Sequence, residues 1–183
     1  MLLDFLVSRR GLDPAAETCW QALRHLLGLP VAGVERGELW RFDLEDGEDA
    51  SACRGALERA ACRAGRYVNL NRDACVWLAG PRPYPRPAPV PGTAADVWVR
   101  DGEGRDPAAL EFFRSQGTAR LRDLGRGVLW RLWLPDRDAD AARRRAESIA
   151  VTRSRREGLL MNPHAQRAEV LHVVCSPAGE ETR

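Results

Sequence analysis

The sequence predicts an α+β protein made of two repeats, each an antiparallel sheet with two helices in the order β-α-β-α-β. Three landmarks occur twice: DPAA at 13–16 and 106–109, RGxLWR at 36–41 and 126–131, and an asparagine after an apolar stretch at 69 and 162. They keep the same order, and the second copy follows the first by 90 to 93 positions. Such periodic self-similarity indicates an internal duplication.

The first repeat is expected to begin with a strand at Leu2–Val7, which is almost entirely apolar. Asp13 is a suitable cap for a helix that Pro14 opens, because the fixed φ of proline suits the first helical position. Apolar residues then recur at helical spacing, at Ala16, Trp20, Leu23 and Leu27. Gly28 suits the end of this helix.

The same patterns predict the rest of the first repeat. Alternation from Val34 to Leu44 predicts a strand, in which Gly37 marks a bend or bulge. A second helix is expected over Ala50–Ala64, capped by Asp49 and burying Cys53, Leu57 and Ala60. Ala74–Leu78 predicts the last strand.

Proline stands at every second position between residues 81 and 91. This pattern blocks both helix and sheet pairing and predicts a polyproline II strap of about 3.1 Å per residue. A ligand for an SH3-type domain is the alternative interpretation. The predicted organisation is repeat 1 at 1–79, a Pro-rich linker at 80–94, repeat 2 at 95–175 and a tail at 176–183.

The second repeat is expected to have its strands and helices in the same order as the first. Strands are expected at 97–99, 128–134 and 169–174, and helices at 107–116 and 139–157. Leu110 and Phe113 should face inward, and Gly117 and Gly158 should end the two helices. Asp136, Asp138 and Asp140 suit the start of the second helix, whose positive end favours carboxylates.

Several strands carry large apolar side chains on both faces. Trp130 alternates with Leu129 and Trp133, for example, so that neither face is polar. A sheet with one face in water should instead alternate between apolar and polar residues. We therefore expect the two repeats to form an internal pseudo-dimer through sheet faces that carry Leu39, Trp77, Trp98, Leu129 and Trp133.

Composition excludes some classes of function. The net charge of +2 is too small to indicate nucleic acid as the partner. All 28 basic residues are arginine, so no lysine is present to form a Schiff base or to act in a P-loop. Five cysteines without CxxC spacing favour reduced thiols in a cytoplasmic protein. No signal peptide is expected, and no apolar run has the length of a membrane span.

Catalytic signatures are also missing from the sequence. His25, His164 and His172 lack the spacing of a metal site, and no GxSxG, GxGxxG or Walker motif occurs. We therefore predict no catalytic residues, no metal and no cofactor. The arginine-rich stretch from Arg143 to Arg156 permits RNA binding, but it lacks interleaved aromatic residues. A solvated helix face or an anionic protein partner is the favoured interpretation.

The motifs and their order resemble those of PurS, the small subunit of bacterial phosphoribosylformylglycinamidine synthase. The similar segments are LDPAAET at 12–18, GLPV at 28–31, VERG at 34–37, VN at 68–69 and GLLMNPH at 158–164. The resemblance spans nearly the whole chain apart from the linker and tail. It departs from the family at Glu38 and Val128, where the family has lysine, and at Leu70, where it has proline.

The resemblance implies a cytoplasmic, non-catalytic subunit of de novo purine synthesis. Such a subunit bridges a glutaminase and an ATP-dependent amidoligase, so that ammonia passes between them. The candidate interface or motif residues are Asp13, Pro14, Arg36, Gly37, Asn69, Asp106, Pro107, Arg126, Gly127, Asn162, Pro163 and His164. A small-molecule-binding regulatory α+β module and an RNA-binding protein remain as alternatives.

Overall fold

The computed structural model describes residues 1–78, 92–102, 104–117, 120–154 and 157–175. These residues form six strands and four α-helices in the predicted order, β-α-β-α-β twice. The elements are β1 Leu2–Arg9, α1 Pro14–Gln21, β2 Gly33–Leu44, α2 Ala50–Cys62, β3 Asp73–Leu78, β4 Thr93–Asp101, α3 Pro107–Ser115, β5 Leu121–Leu134, α4 Ala139–Ala150 and β6 Gln166–Cys175. The strands form one antiparallel sheet in the order β3-β1-β2-β5-β4-β6. The predicted α+β class is therefore confirmed.

The chain divides into two compact units, and each of them takes elements from both sequence repeats. The first unit comprises Met1–Gly11, Gly37–Gly80 and Glu103–Gly127, and the second comprises Leu12–Arg36, Pro81–Gly102 and Val128–Arg183. Helix α1 thus belongs to the second unit, although it follows β1 in the chain. Helix α3 belongs to the first unit, although it follows β4. The first helix of each repeat is exchanged.

The expected linker and tail fall largely outside the described residues. Of the predicted linker at 80–94, residues 80–91 lie outside them, and β4 already begins at Thr93. The polyproline strap and the SH3-type ligand therefore remain predictions. The same holds for the tail at 176–183.

The core of the first unit lies between one face of its sheet and helices α2 and α3. Phe5 of β1 and Phe42 of β2 are fully buried there, together with Leu57 of α2 and Phe113 of α3. The rings of Phe42 and Phe113 meet edge to face with centroids 5.2 Å apart. Aromatic pairs in this geometry contribute about 0.5–1.5 kcal/mol beyond their buried area. The predicted inward positions of α2 and of Phe113 are confirmed.

The second unit buries its core in the same way, between its sheet and helices α1 and α4. Val97 of β4 and Leu132 of β5 pack with Leu23, which follows α1, and with Ile149 of α4. Trp130 packs on this side as well, as its alternation with Leu129 predicts. In each unit, two helices thus cover one face of the part of the sheet that belongs to that unit.

Four aspartates begin the four helices. The side chains of Asp13, Asp49, Asp106 and Asp138 each accept a hydrogen bond from a backbone N–H of the first turn, at 2.7–3.0 Å. Pro14 and Pro107 occupy the first helical positions of α1 and α3. These bonds satisfy amide groups that have no acceptor within the helix. The capping prediction is confirmed.

The end of α4 was predicted too late in the chain. The expected helix at 139–157 ends at Ala150, and Val151 is extended with φ −90° and ψ 114°. The amides of Leu159 and Met161 donate to the carbonyls of Ile149 and Ala150, at 2.9 Å each. The returning chain therefore supplies the hydrogen bonds that a further helical turn would have made. β-Branched Val151 also favours extended backbone.

Several other predicted boundaries were wrong. The strand expected at 97–99, for example, extends over Thr93–Asp101 as β4. Strand β5 begins at Leu121 rather than Val128, because Gly125 and Gly127 continue the strand instead of ending it. Helix α1 ends at Gln21 and is followed by a π-helical segment, Ala22–Leu26. Gly28 then takes a left-handed φ of 64°, which supports the predicted stop.

Each unit carries an aspartate–arginine pair on the sheet face that lies away from its helices. In the first unit, Asp4 and Arg41 are cross-strand neighbours joined by two bonds of 2.8 Å. In the second unit, Asp96 and Arg131 are neighbours joined by two bonds of 2.7 Å. The second pair is only 2–3% exposed, against 15–21% for the first. The four residues occupy matching positions in the two repeats and form a further landmark of the duplication.

We expect Asp96→Asn to destabilise the protein far more than Asp4→Asn. The substitution removes the carboxylate charge that binds the buried guanidinium of Arg131 through two hydrogen bonds, and breaking such a pair costs about 3–5 kcal/mol. Asp4→Asn acts on a partly solvated pair and should cost about 1 kcal/mol. Urea unfolding of both variants checks this expectation. Equal losses would show that burial does not set the strength of these pairs.

Candidate functional site

Four of the predicted motif residues meet as two equivalent pairs. In the second unit, Asp13 at the start of α1 pairs with Arg36 of β2, with 3.5 Å between Oδ2 and Nη1. In the first unit, Asp106 at the start of α3 pairs with Arg126 of β5 at 3.0 Å. In both pairs the other carboxylate oxygen caps the helix. The same side chain therefore holds both the helix end and the strand arginine.

Each of these arginines also covers a tryptophan of the other repeat. The guanidinium carbon of Arg36 lies 5.6 Å from the ring centroid of Trp130. That of Arg126 lies 4.6 Å from the ring centroid of Trp40. Both distances fall within the range of cation–π attraction. Trp40 and Trp130 hold matching places in the repeated string, so the two contacts are equivalent.

The two clusters differ at one position. In the first unit, Glu38 also pairs with Arg126, so two carboxylates hold this guanidinium. In the second copy of the RGxLWR string, Val128 occupies the position that Glu38 has in the first copy, and the side chain of Val128 is uncharged. Among the residues the structure describes, Asp13 is the one carboxylate that pairs with Arg36. The same arginine is thus bound by two acids in one unit and by one acid in the other.

Electrostatics in the first cluster favour the charged forms. Burial alone would raise the pKa of Asp106, but the Ala109 amide and the Arg126 guanidinium outweigh it and hold this pKa below its ordinary value. Burial likewise opposes the charge on Arg126, yet Glu38 and Asp106 raise the pKa of this guanidinium. Asp106 and Arg126 therefore form a charged pair under ordinary conditions.

The two motif asparagines form matching turns before the last strand of each repeat. Oδ1 of Asn69 accepts from the amide of Asn71 at 3.1 Å, and Oδ1 of Asn162 accepts from the amide of His164 at 3.0 Å. In each turn the asparagine carbonyl also accepts from the residue four positions later, Asp73 or Gln166. Asparagine suits this geometry because its side chain can bond to the backbone two residues on.

The remaining motif residues lie in strands and turns. Gly37 is buried in β2 and pairs with Ser8 in an uninterrupted register, and Gly127 lies within β5. Pro163 and His164 are exposed in the turn that Asn162 begins. Pro14 and Pro107 open helices. These residues shape the backbone around the two clusters, whereas the charged groups of the clusters come from the aspartates and arginines.

Trp77 lies on the opposite side of the sheet from the one we predicted. Its ring packs against Phe5 and Phe42 on the helix-covered face, with centroid distances of 4.6 and 6.0 Å. Its indole N–H donates to Glu58 of α2 at 3.0 Å. The edge strand β3 places Trp77 in register with Phe5, and this register sets its face. Trp77 is therefore a core residue of the first unit.

The other four residues predicted to pack between the repeats are all buried. Leu39, Trp98, Leu129 and Trp133 are each no more than 4% exposed. They lie on strands β2, β4 and β5, on the side that alternates with the helix-facing residues. Their packing between the repeats stays a prediction.

Among the described residues, possible metal ligands form no cluster, and burial keeps two cysteine thiols protonated. Within the described parts of the chain, no three His, Cys, Asp or Glu side chains lie close enough together to hold a metal ion. Burial raises the pKa of the Cys19 thiol to about 12 and that of Cys75 to about 11. These thiols are protonated at neutral pH, and a protonated thiol is a poor nucleophile.

The second unit contains a pocket that the sequence patterns did not predict. It is an open depression of about 370 Å³ on α4, lined by Leu29, Asp136, Ala141, Arg144, Arg145, Ser148 and Ile149. Arg145 is held by Asp136 through two bonds of 2.6 and 3.0 Å. Arg144 is exposed at this site. No motif in the sequence signals the pocket, because Leu29 is far from α4 in the chain.

Two arginines of the arginine-rich stretch are engaged within the protein. Arg143 donates to the carbonyl of Val170 at 3.0 Å, and Arg145 binds Asp136. Arg155 and Arg156 lie outside the described residues. Of the triplet 143–145, Arg144 alone extends from the exposed surface of α4. These contacts leave few cations on this helix for a phosphate backbone.

Comparison of the sequence with protein-family models finds no matching family, and comparison with curated proteins finds no match. Within the described residues, none of the helices has the length and apolar character of a membrane span. The resemblance to PurS therefore rests on the residues quoted above and on their order.

We expect the pairing of Asp106 to make stability dependent on pH. Its pKa is lowered in the folded state, so its contribution is full above the unfolded value of about 3.9 and is lost as pH falls through the folded value. Asp106→Asn keeps a capping residue but removes the charge. This variant should be about 1 kcal/mol less stable than the wild type at neutral pH.

That difference should shrink as the pH falls below the unfolded value of about 3.9 and through the lower folded value, because the wild-type carboxylate is then increasingly protonated. Urea unfolding across a pH series measures it, and the same substitution in an Arg126→Gln background should show a smaller difference at neutral pH. A difference that stays constant over the whole series would contradict the role given to the charge.

Proposed function

We propose that this protein is a non-catalytic, PurS-like subunit that bridges a glutaminase and an ATP-dependent amidoligase in de novo purine biosynthesis. One observation carries the proposal. Asp13 and Arg36, which lie in the segments that carry the resemblance, form a cluster with Trp130. The equivalent residues in the first unit form the same aspartate–arginine–tryptophan cluster. A cluster that ties a helix start to a strand, and that recurs in the other unit, suits a scaffold subunit.

The chemistry of the clusters supports a structural role over a catalytic one. The carboxylates of Asp13 and Asp106 are occupied by helix amides and by arginines, and both arginines lie over tryptophan rings. Proton transfer needs a group whose pKa lies near the working pH. The lowered pKa of Asp106 and the raised pKa of Arg126 move both groups away from that range.

We further propose that the two repeats form an internal pseudo-dimer that stands in for a dimer of single PurS-like chains. The support is the repeated β-α-β-α-β order and the burial of Leu39, Trp98, Leu129 and Trp133 on the side away from the helices. Large apolar side chains on both faces of a strand require cover on both faces. A second repeat in the same chain provides such cover without a second molecule.

The departures from the family motifs have structural consequences in this protein. Glu38, in place of the family lysine, forms an ion pair with Arg126 and so changes the charge of the first cluster. Leu70, in place of proline, is half exposed, and the Asn69 turn forms without the proline ring. The proposed role therefore concerns a diverged subunit whose scaffold is retained.

The proposal predicts a complex between this protein and the glutaminase and amidoligase of its own source. In the presence of glutamine and ADP, the tagged protein should co-elute with both subunits in size-exclusion chromatography. Glutamine-dependent synthesis should need this protein, whereas synthesis from free ammonium should not, because only the former passes ammonia between subunits. If all three components stay separate and both activities ignore the protein, the proposal is wrong.

A small-molecule regulatory module is the second candidate, and the pocket on α4 is the observation that favours it. Its volume of about 370 Å³ lies in the range of ligand sites. The exposed guanidinium of Arg144 and the hydroxyl of Ser148 face a wall that includes Leu29 and Ile149. This combination suits a small anion with an apolar body, such as an amino acid or a purine intermediate.

Thermal-shift measurements with amino acids and purine intermediates test this second candidate. A ligand at about 100 times its Kd should add about 2.7 kcal/mol of stability. Arg144→Gln should abolish the shift, while Arg153→Gln, at an exposed arginine outside the pocket lining, should preserve it. A panel without any shift, or a shift that survives Arg144→Gln, would exclude the pocket as the site.

A further inference from the structure

We infer that Arg36, together with Trp130, is a docking point for an acidic side chain of a partner protein, whereas Arg126 serves the fold alone. This inference deepens the proposed bridging function and rests on it. It arises from the comparison of two arginines that hold the same place in the two repeats. Their environments match in nearly every respect except for one carboxylate.

The two arginines have almost the same exposure but different pairing. The side chain of Arg36 is 36% exposed and that of Arg126 is 38% exposed. Arg126 is bound by Asp106 at 3.0 Å and also by Glu38. Among the described residues, Arg36 forms an ion pair with one carboxylate, that of Asp13, and the distance between Nη1 and Oδ2 is 3.5 Å. Exposure alone therefore does not separate the two guanidinium groups, but the number of bound acids does.

The geometry leaves donor capacity on Arg36. A guanidinium has five N–H donors in a planar fork, and Asp13 takes a single weak contact from it. Oδ1 of Asp13 is already occupied by the amide of Ala15. The stacking on Trp130 holds the guanidinium over the ring. An arginine held in this way loses less conformational entropy when it binds, and its fork matches a carboxylate.

The surroundings favour a single carboxylate over nucleic acid. Asp13 pairs with Arg36, and Glu17 lies in the first turn of α1. These negative charges would repel a continuous phosphate backbone, which needs several cations along its path. One aspartate or glutamate on a protein surface places only one charge beside Arg36. Leu12 is 75% exposed and directly precedes Asp13, the residue that pairs with Arg36, so it offers an exposed apolar side chain next to this pair.

Two variants remove the docking point in different ways. Arg36→Gln removes the charge. Val128→Glu keeps the arginine but places a carboxylate where Glu38 stands in the other repeat, so that Arg36 becomes bound by two acids as Arg126 is. Because a hydrogen bond to a charged group contributes more than a neutral one, each variant should weaken the complex by roughly tenfold. Arg126→Gln is the matched control and should leave the affinity unchanged.

Affinity of the purified, intact variants for the glutaminase and the amidoligase is measured by calorimetry, with circular dichroism to verify folding. Loss of affinity in Arg36→Gln and Val128→Glu, with Arg126→Gln unaffected, is the expected result. If the wild type binds and all three variants bind equally well, the docking point is wrong and the bridging function survives. If the wild type binds neither subunit, the bridging function fails and the inference fails with it.

A retention assay on single-stranded RNA at low salt separates the remaining possibility. The inference expects Arg36→Gln and the wild type to behave alike in that assay. If Arg36→Gln instead lowers retention on RNA while binding to both subunits is unchanged, the arginine recognises phosphate, and the assignment to a carboxylate is overturned.

Discussion

Each unit of this protein depends on one aspartate whose two carboxylate oxygens bind different parts of the chain. One oxygen of Asp13 or Asp106 caps a helix, and the other binds an arginine of the next strand, Arg36 or Arg126. The amides at a helix start lack partners within the helix, so the cap is required locally. The arginine then ties that helix start to the sheet. Both contacts lie within one unit, and they recur in the second.

The exchange of the first helices makes the two repeats depend on each other. The apolar face of α1 is buried with Leu132 and Ile149, and that of α3 is buried with Phe42 and Leu57. Neither sequence repeat therefore completes its core with its own first helix. A single repeat of this size buries a modest fraction of its surface, and exchange lets both repeats share two full cores. Each compact unit is thus built from elements of both sequence repeats.

Divergence after duplication has affected charge more than structure. The caps, the asparagine turns and the cross-strand aspartate–arginine pairs persist in both repeats. At the position of Glu38 and Val128, by contrast, one repeat gained or kept a carboxylate that the other lacks. A change at a partly exposed position alters the local charge while the core stays the same. This is how one chain can present two similar scaffolds with different surfaces.

The sequence by itself determined the features that are local or periodic. The order of the elements, the capping aspartates, the inward faces of α2 and α3 and the duplication follow from spacing, because backbone geometry imposes periods of 3.6 and 2 on side-chain positions. The asparagines were recognised as landmarks by their order. Their turn geometry needed coordinates.

Only the tertiary structure decided which repeat receives each first helix, which arginine covers which tryptophan, and the side on which Trp77 packs. The end of α4 was decided in the same way, since the returning residues Leu159 and Met161 provide its last hydrogen bonds. The pocket on α4 joins residues that are distant in the chain. Strand register and long-range pairing set all of these features, and a period-2 pattern carries no information about the partner strand.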